Sequence, residues 1–182
     1  MSLISNLKRF AIVVVFSIFF TGCVQEVNKE GVTLGISGNQ LTDSFKDSFP
    51  FEKNFVFGDL ALKKPSIQMP KESNRINASI ELGLKTLFTN AIRGNFTISG
   101  EPKFNQKDSS IYLQNLQLES FDFGRLKISD EFANTFRGAV RPMVNEIFKN
   151  YPIYKIPKDS FQGKFVKNIK VENSKLLVTY GL

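Results

Sequence analysis

From Ile76 to Lys85 the chain alternates without a fault. Ile76, Ala78, Ile80, Leu82 and Leu84 fall on one side, and Asn77, Ser79, Glu81 and Lys85 on the other, with Arg75 leading in. A period of two over this length predicts an extended strand with one dry and one wet face, the pattern of an antiparallel sheet. A second strand runs from Ile92 through Phe96 and Ile98 to Gly100. A third starts in phase at Ile111 and Leu113, moves to Leu116 and Leu118, and moves again to Phe121 and Phe123. Each slip swaps the faces of the strand, and a bulge is the usual device that accommodates it. Asn105 to Ser109 reads as the turn between the second and third strands.

Around this centre the pattern is mixed. Gly31 to Ile36 reads as a first strand, and Ser37 as the cap of a short helix over 39–48 that buries Leu41 and Phe45. Asp130 to Asn150 predicts the one long helix, because Phe132, Phe136, Val140, Met143 and Ile147 recur at steps of three and four. Tyr151 to Pro157 must be extended, since residues before proline are pushed out of helix. Residues 159–166 fit a short helix or the start of a strand. Ile169–Val171 and Leu176–Tyr180 flank a turn and read as a terminal hairpin. The expected class is α+β: one curved antiparallel sheet of about five to seven strands with one long amphipathic helix.

The N-terminus has a different logic. Lys8 and Arg9 precede an uncharged apolar run from Phe10 to Phe20, and Thr21-Gly22 lead into Cys23. Positive, apolar, small is the order of a secretory signal. The run is shorter than the roughly 20 residues that span a bilayer as a helix. A cleavage point at cysteine resembles the lipobox of bacterial lipoproteins, with Phe20 standing where Leu is usual. The resemblance implies that Cys23 becomes the first mature residue and carries acyl chains. By the sorting rule of that class, Val24 in place of Asp directs the protein to the outer membrane, facing the periplasm. The expected organisation is a signal peptide over 1–22, a lipidated tether over 23–30 and a single domain over 31–182.

Composition narrows the chemistry. The sequence has no histidine and one cysteine, so it lacks the commonest general base and the commonest zinc ligand, and it cannot form an internal disulfide. No P-loop or dinucleotide fingerprint occurs, and nothing calls for a cofactor or a metal. Acidic residues such as Glu101, Asp108, Glu119 and Asp122 are scattered, with no pairing visible. Removing Lys8 and Arg9 with the leader lowers the net charge from +7 to +5. The remaining Lys and Arg are dispersed, which argues against nucleic acid as a partner. These features predict a protein that is not an enzyme. Nineteen phenylalanines point to a large apolar interior.

Gly94-Asn-Phe-Thr-Ile-Ser-Gly-Glu-Pro-Lys-Phe104, Ile111-Tyr-Leu113, the helix leading into Tyr151-Pro-Ile-Tyr-Lys-Ile156 and the strand Lys175–Tyr180 together resemble the YceB-like bacterial lipoprotein family. That family is of unknown function and is similar to the tubular lipid-binding fold, in which a curved sheet is wrapped around a long helix. The resemblance implies a channel between helix and sheet for a lipid or another hydrophobic ligand. Phe132, Phe136, Val140, Met143 and Ile147, facing Ile80, Leu82, Phe96 and Ile98, would line it. Periodicity alone leaves two readings open: these side chains line a channel, or they close on one another as a dry core of a structural or interaction module. The membrane, through acylated Cys23, is the expected partner in both, and the sequence names no protein partner.

Overall fold

The computed structural model describes residues 24–28, 31–55, 58–86, 92–124, 130–156 and 165–181. The expected signal peptide and Cys23 lie outside the described residues, as do residues 157–164, which hold most of the segment left between helix and strand. Ten strands form two sheets among the described residues. One has four strands: β1 (Val24–Asn28), β2 (Gly31–Ser37), β9 (Val166–Glu172) and β10 (Lys175–Tyr180), in the order β1-β2-β10-β9. The other has six in sequence order: β3 (Phe51–Phe55), β4 (Gly58–Gln68), β5 (Ile76–Thr86), β6 (Ile92–Asn105), β7 (Ser110–Asp122) and β8 (Tyr154–Lys155). Two α-helices are described, α1 (Gly38–Phe45) and α2 (Asp130–Asn150). None of the described helices is long and apolar enough to cross a membrane.

This corrects the expected fold class. An α+β fold, one curved antiparallel sheet wrapped around one long amphipathic helix, does not hold. The described residues are mostly strand, 61% against 21% helical, and the strands divide into two sheets. The physical reason is that alternation reports which face of a strand is dry but not which strand lies beside it. The first strand and the terminal hairpin each carry a dry face, and they satisfy it by pairing with each other: Ile36 lies opposite Leu176 and Leu34 opposite Val178. The segment expected as a tether holds β1, paired antiparallel to β2.

Local chemistry explains the elements. Ser37 starts α1 as a capping box: Gln40 N donates to Ser37 Oγ at 3.3 Å, and Ser37 N donates to Gln40 Oε1 at 2.9 Å. Leu41 and Phe45 are fully buried. Gly38 admits the close approach of β4, since a Cβ there would meet Ile67 O at 2.6 Å. Thr42 Oγ1 closes the contact by donating to Gly38 O and accepting from Ile67 N, both at 2.8 Å. Residues of both sheets and both helices join one apolar core, in which Ile36, Leu176 and Val178 cluster with Ile80, Phe96, Ile98 and Ile147. Val171 N donates to Asn74 Oδ1 at 2.9 Å and stitches β9 to the loop before β5.

Both phase slips of the third strand are bulges. The β6–β7 register shifts between Thr97 and Ile98 and again between Ser99 and Glu101. Asn115 takes a positive φ of 51° at the second, which asparagine tolerates better than most residues. Leu113 and Leu116, either side of it, both point inward and meet over Gly100, where a Cβ would lie 2.9 Å from each. On the outer face Arg75 pins the irregularity. Its Nη2 donates to Ser99 O at 3.0 Å and Asn115 O at 2.7 Å, its Nε to Ser99 Oγ at 2.8 Å, and its Nη1 to Glu101 Oε1 at 3.2 Å. Removing the guanidinium removes these charged hydrogen bonds at buried Ser99 and at the bulge, so Arg75→Ala is expected to cost about 2–3 kcal/mol. A urea midpoint unchanged from the parent would show that the bulge does not depend on this side chain.

Candidate functional site

The residues expected to line a channel are brought together. Ile80 and Leu82 on β5, Phe96 and Ile98 on β6, and Val140, Met143 and Ile147 on α2 are all buried in the same core cluster. Ile80 pairs with Phe96 across the strands, and Ala78 with Ile98. The Phe96 ring lies 5.6 Å from Phe121, which stacks on Phe123 at 5.6 Å. The side chains of Phe132 and Phe136 lie outside the described residues, as does Cys23, the expected lipidation site.

The apolar interior reaches the surface at a seam between α2 and the bulged part of β6–β7. Ile98, Leu116, Leu118, Val140 and Val144 form its floor, and Gln117, Arg141 and Asn145 its rim. The bulge at Asn115 places Leu116 and Leu118 here, because without it the inward phase set by Ile111 and Leu113 would leave these even-numbered positions outward. The cavity is only about 20 Å³, room for one water molecule, whereas drug-sized ligand pockets run to about 300–1,000 Å³. Among the described residues this seam is closed to anything larger than water. What holds α2 is modest at the surface and stronger inside. Glu146 Oε2 meets Lys53 Nζ on β3 at 3.2 Å, an ion pair with both side chains about half exposed and worth little. Phe148 packs its ring 5.0 Å from that of Phe45 on α1.

A second concavity lies on the outer face of the six-stranded sheet, a groove of about 580 Å³ floored by Ala61, Gly83 and Gly94 and rimmed by Lys63, Lys64, Glu81 and Arg93. Lys64 Nζ is engaged by Glu81 Oε1 at 3.0 Å, so the rim is partly neutralised. The sequence reading missed one convergent polar group, that of Arg75, Ser99, Glu101, Asn115 and Glu119. Ser99 Oγ donates to Glu119 Oε1 at 2.5 Å while accepting from Arg75 Nε. Ser99 is only 2% exposed and its hydroxyl is committed to both neighbours, so the group works as a clamp on the bulge. The available signal was the coincidence of polar outward positions 75, 99 and 101 with the phase slip near 115. Among the described residues no three His, Cys, Asp or Glu side chains converge to hold a metal.

Three tyrosines carry perturbed phenols. Tyr112 donates to Asp108 Oδ2 at 2.6 Å, and that hydrogen bond, with burial and the carboxylate charge adding, pushes its pKa up to about 12. Burial first, then proximity to Tyr154, pushes Tyr180 up to about 12. Burial also raises Tyr154.

The chain matches the family described as "Protein of unknown function (DUF1439)" over residues 36–175, and it belongs to that family. The match runs from the end of β2 to the start of β10 and so includes the seam, the groove and the Arg75 clamp. No curated protein is matched by the chain.

The tyrosines give a pH prediction. Their folded pKa values lie above the ordinary value of 10.0. The stability they contribute is therefore complete below about pH 10 and is lost as pH rises through about 12. Tyr180→Phe should flatten this alkaline loss in unfolding curves taken across the window. The same slope in parent and variant would remove Tyr180 from the account.

Proposed function

We propose that the chain is an envelope lipoprotein of the YceB-like type, acylated at Cys23 and held at the outer membrane facing the periplasm. Its domain binds a lipid or other hydrophobic ligand and catalyses no reaction. The leader ending in Thr21-Gly22-Cys23 supports the anchor. The observation that carries the ligand reading is the seam, where the buried stripe of α2 meets the surface over an apolar floor with a polar rim. Ligand entry there is a displacement of α2, with Met143 and its neighbours as an adaptable lining. A polar head would be left beside Arg141 and Asn145.

A second reading has its own observation. Ile80, Leu82, Phe96, Ile98, Val140, Met143 and Ile147 are packed as a closed core, which suits a dry structural or interaction module of the envelope.

Native mass spectrometry of the acylated chain, released gently from membranes, separates the two. A bound mass of lipid size that leaves on denaturation is expected, and Val144→Trp, which fills the seam, should lose it at a stability cost of about 1–3 kcal/mol. A clean apo mass in repeated preparations would overturn ligand binding and leave the interaction module. Cys23→Ser should abolish incorporation of a palmitate analogue and move the chain from the membrane to the soluble fraction. A variant that stays membrane-bound would refute the lipid anchor.

A further inference from the structure

The strand that follows Cys23 is built oddly for a strand in water. Val24 is 52% and Val27 67% exposed, the highest exposures among the described large hydrophobics. They lie three apart, so regular alternation would put them on opposite faces. A bulge prevents this. The β1–β2 register shifts between Val24 and Glu26, leaving Val24 opposite Leu34 and Val27 opposite Val32. Leu34 and Val32 are two apart on β2 and share a face, so both valines fall on that face. Gln25, the bulged residue, turns its side chain over Gly35 instead. The result is an apolar margin of Val24 and Val27, backed by half-buried Val32 and Leu34, on an edge strand that has no other strand beside it among the described residues.

We infer that this margin is a membrane-docking surface and that β1 lies along the lipid surface with Val24 and Val27 in the interface. The inference rests on the acylation of Cys23 proposed above. An acylated Cys23 sits at the interface, and Val24 is the next residue, about 3.8 Å on along the chain. Since β1 begins at Val24, no free residue remains to let the domain stand away from the bilayer. Two orientations are then open to the strand. Upright, β1 would direct the β9–β10 turn at Asn173 and Ser174 towards the lipid, because the C-terminal end of β2 lies beside that turn, with Ser37 opposite Lys175. Lying flat, it places Val27, about 10 Å from Val24, in the interface and removes both valines from water. The bulge serves only the flat orientation, since it alone needs the two valines on one face.

The acylated cysteine is the chain's only cysteine, so one introduced thiol can be labelled cleanly. Cysteine is introduced singly at Val27, Ser174 and Gln106, the last in the β6–β7 turn. Each acylated chain takes an environment-sensitive fluorophore and enters vesicles of phosphatidylethanolamine and phosphatidylglycerol holding a lipid with a headgroup-level nitroxide. Quenching at Val27 is expected to exceed that at Gln106 by at least about twofold and to exceed that at Ser174. Quenching at Ser174 without Val27 means the upright orientation and overturns the inference, as does equal exposure at all three sites. The mass of Cys23 is read on the same samples. A chain that is not acylated overturns the anchor and this inference together, whereas an acylated chain with a water-exposed Val27 overturns this inference alone. Val27→Trp, the sole tryptophan in such a chain, gives a label-free repeat: its emission should shift to the blue on vesicles, and an unshifted spectrum counts against docking.

Discussion

One guanidinium sits where two strands fall out of step. β6 and β7 are the longest strands of the six-stranded sheet, and they cannot stay paired along their length without two shifts of register. Each shift leaves backbone groups that the ladder no longer satisfies. Arg75 reaches across from the start of β5 and takes up the carbonyls of Ser99 and Asn115, while Glu101 and Glu119 hold the groups around it. What lies beneath depends on this clamp. The shift at Asn115 turns Leu116 and Leu118 inward, Gly100 makes room where Leu113 and Leu116 converge, and α2 finds an apolar bed for Val140 and Val144.

Much of the fold was legible because it was written in local patterns. The strand at Ile76, the cap at Ser37 and both bulges of β7 follow from alternation, from one hydroxyl and from breaks in phase, and all are present. The architecture was not legible in the same way. That β2 pairs with β10 is a decision between residues at opposite ends of the chain, and no local window contains it. The class expected from the sequence, one sheet wrapped around one helix, failed at that step. β1 was hidden for another reason: Val24-Gln-Glu-Val27 breaks alternation because of its own bulge, and a polar, irregular segment reads as a linker.

The candidate site divides similarly. Periodicity selected Ile80, Leu82, Phe96, Ile98, Val140, Met143 and Ile147, and they meet in space. It could not say whether they meet each other or a ligand, because a channel wall and a core have the same apolar spacing. That difference is one of volume, set by how far side chains from separate elements interdigitate. The Arg75 cluster was missed because its members are ordinary polar residues on the wet faces of three strands, and only the register brings them together.

Thr33 and Thr179 share a hydrogen bond at 3.0 Å across 146 positions of sequence. β2 is framed by β1 on one side and by β10, the last described strand, on the other. The four-stranded sheet therefore cannot close until the chain as far as β10 is available, and closing it means joining distant segments, a slow step in folding.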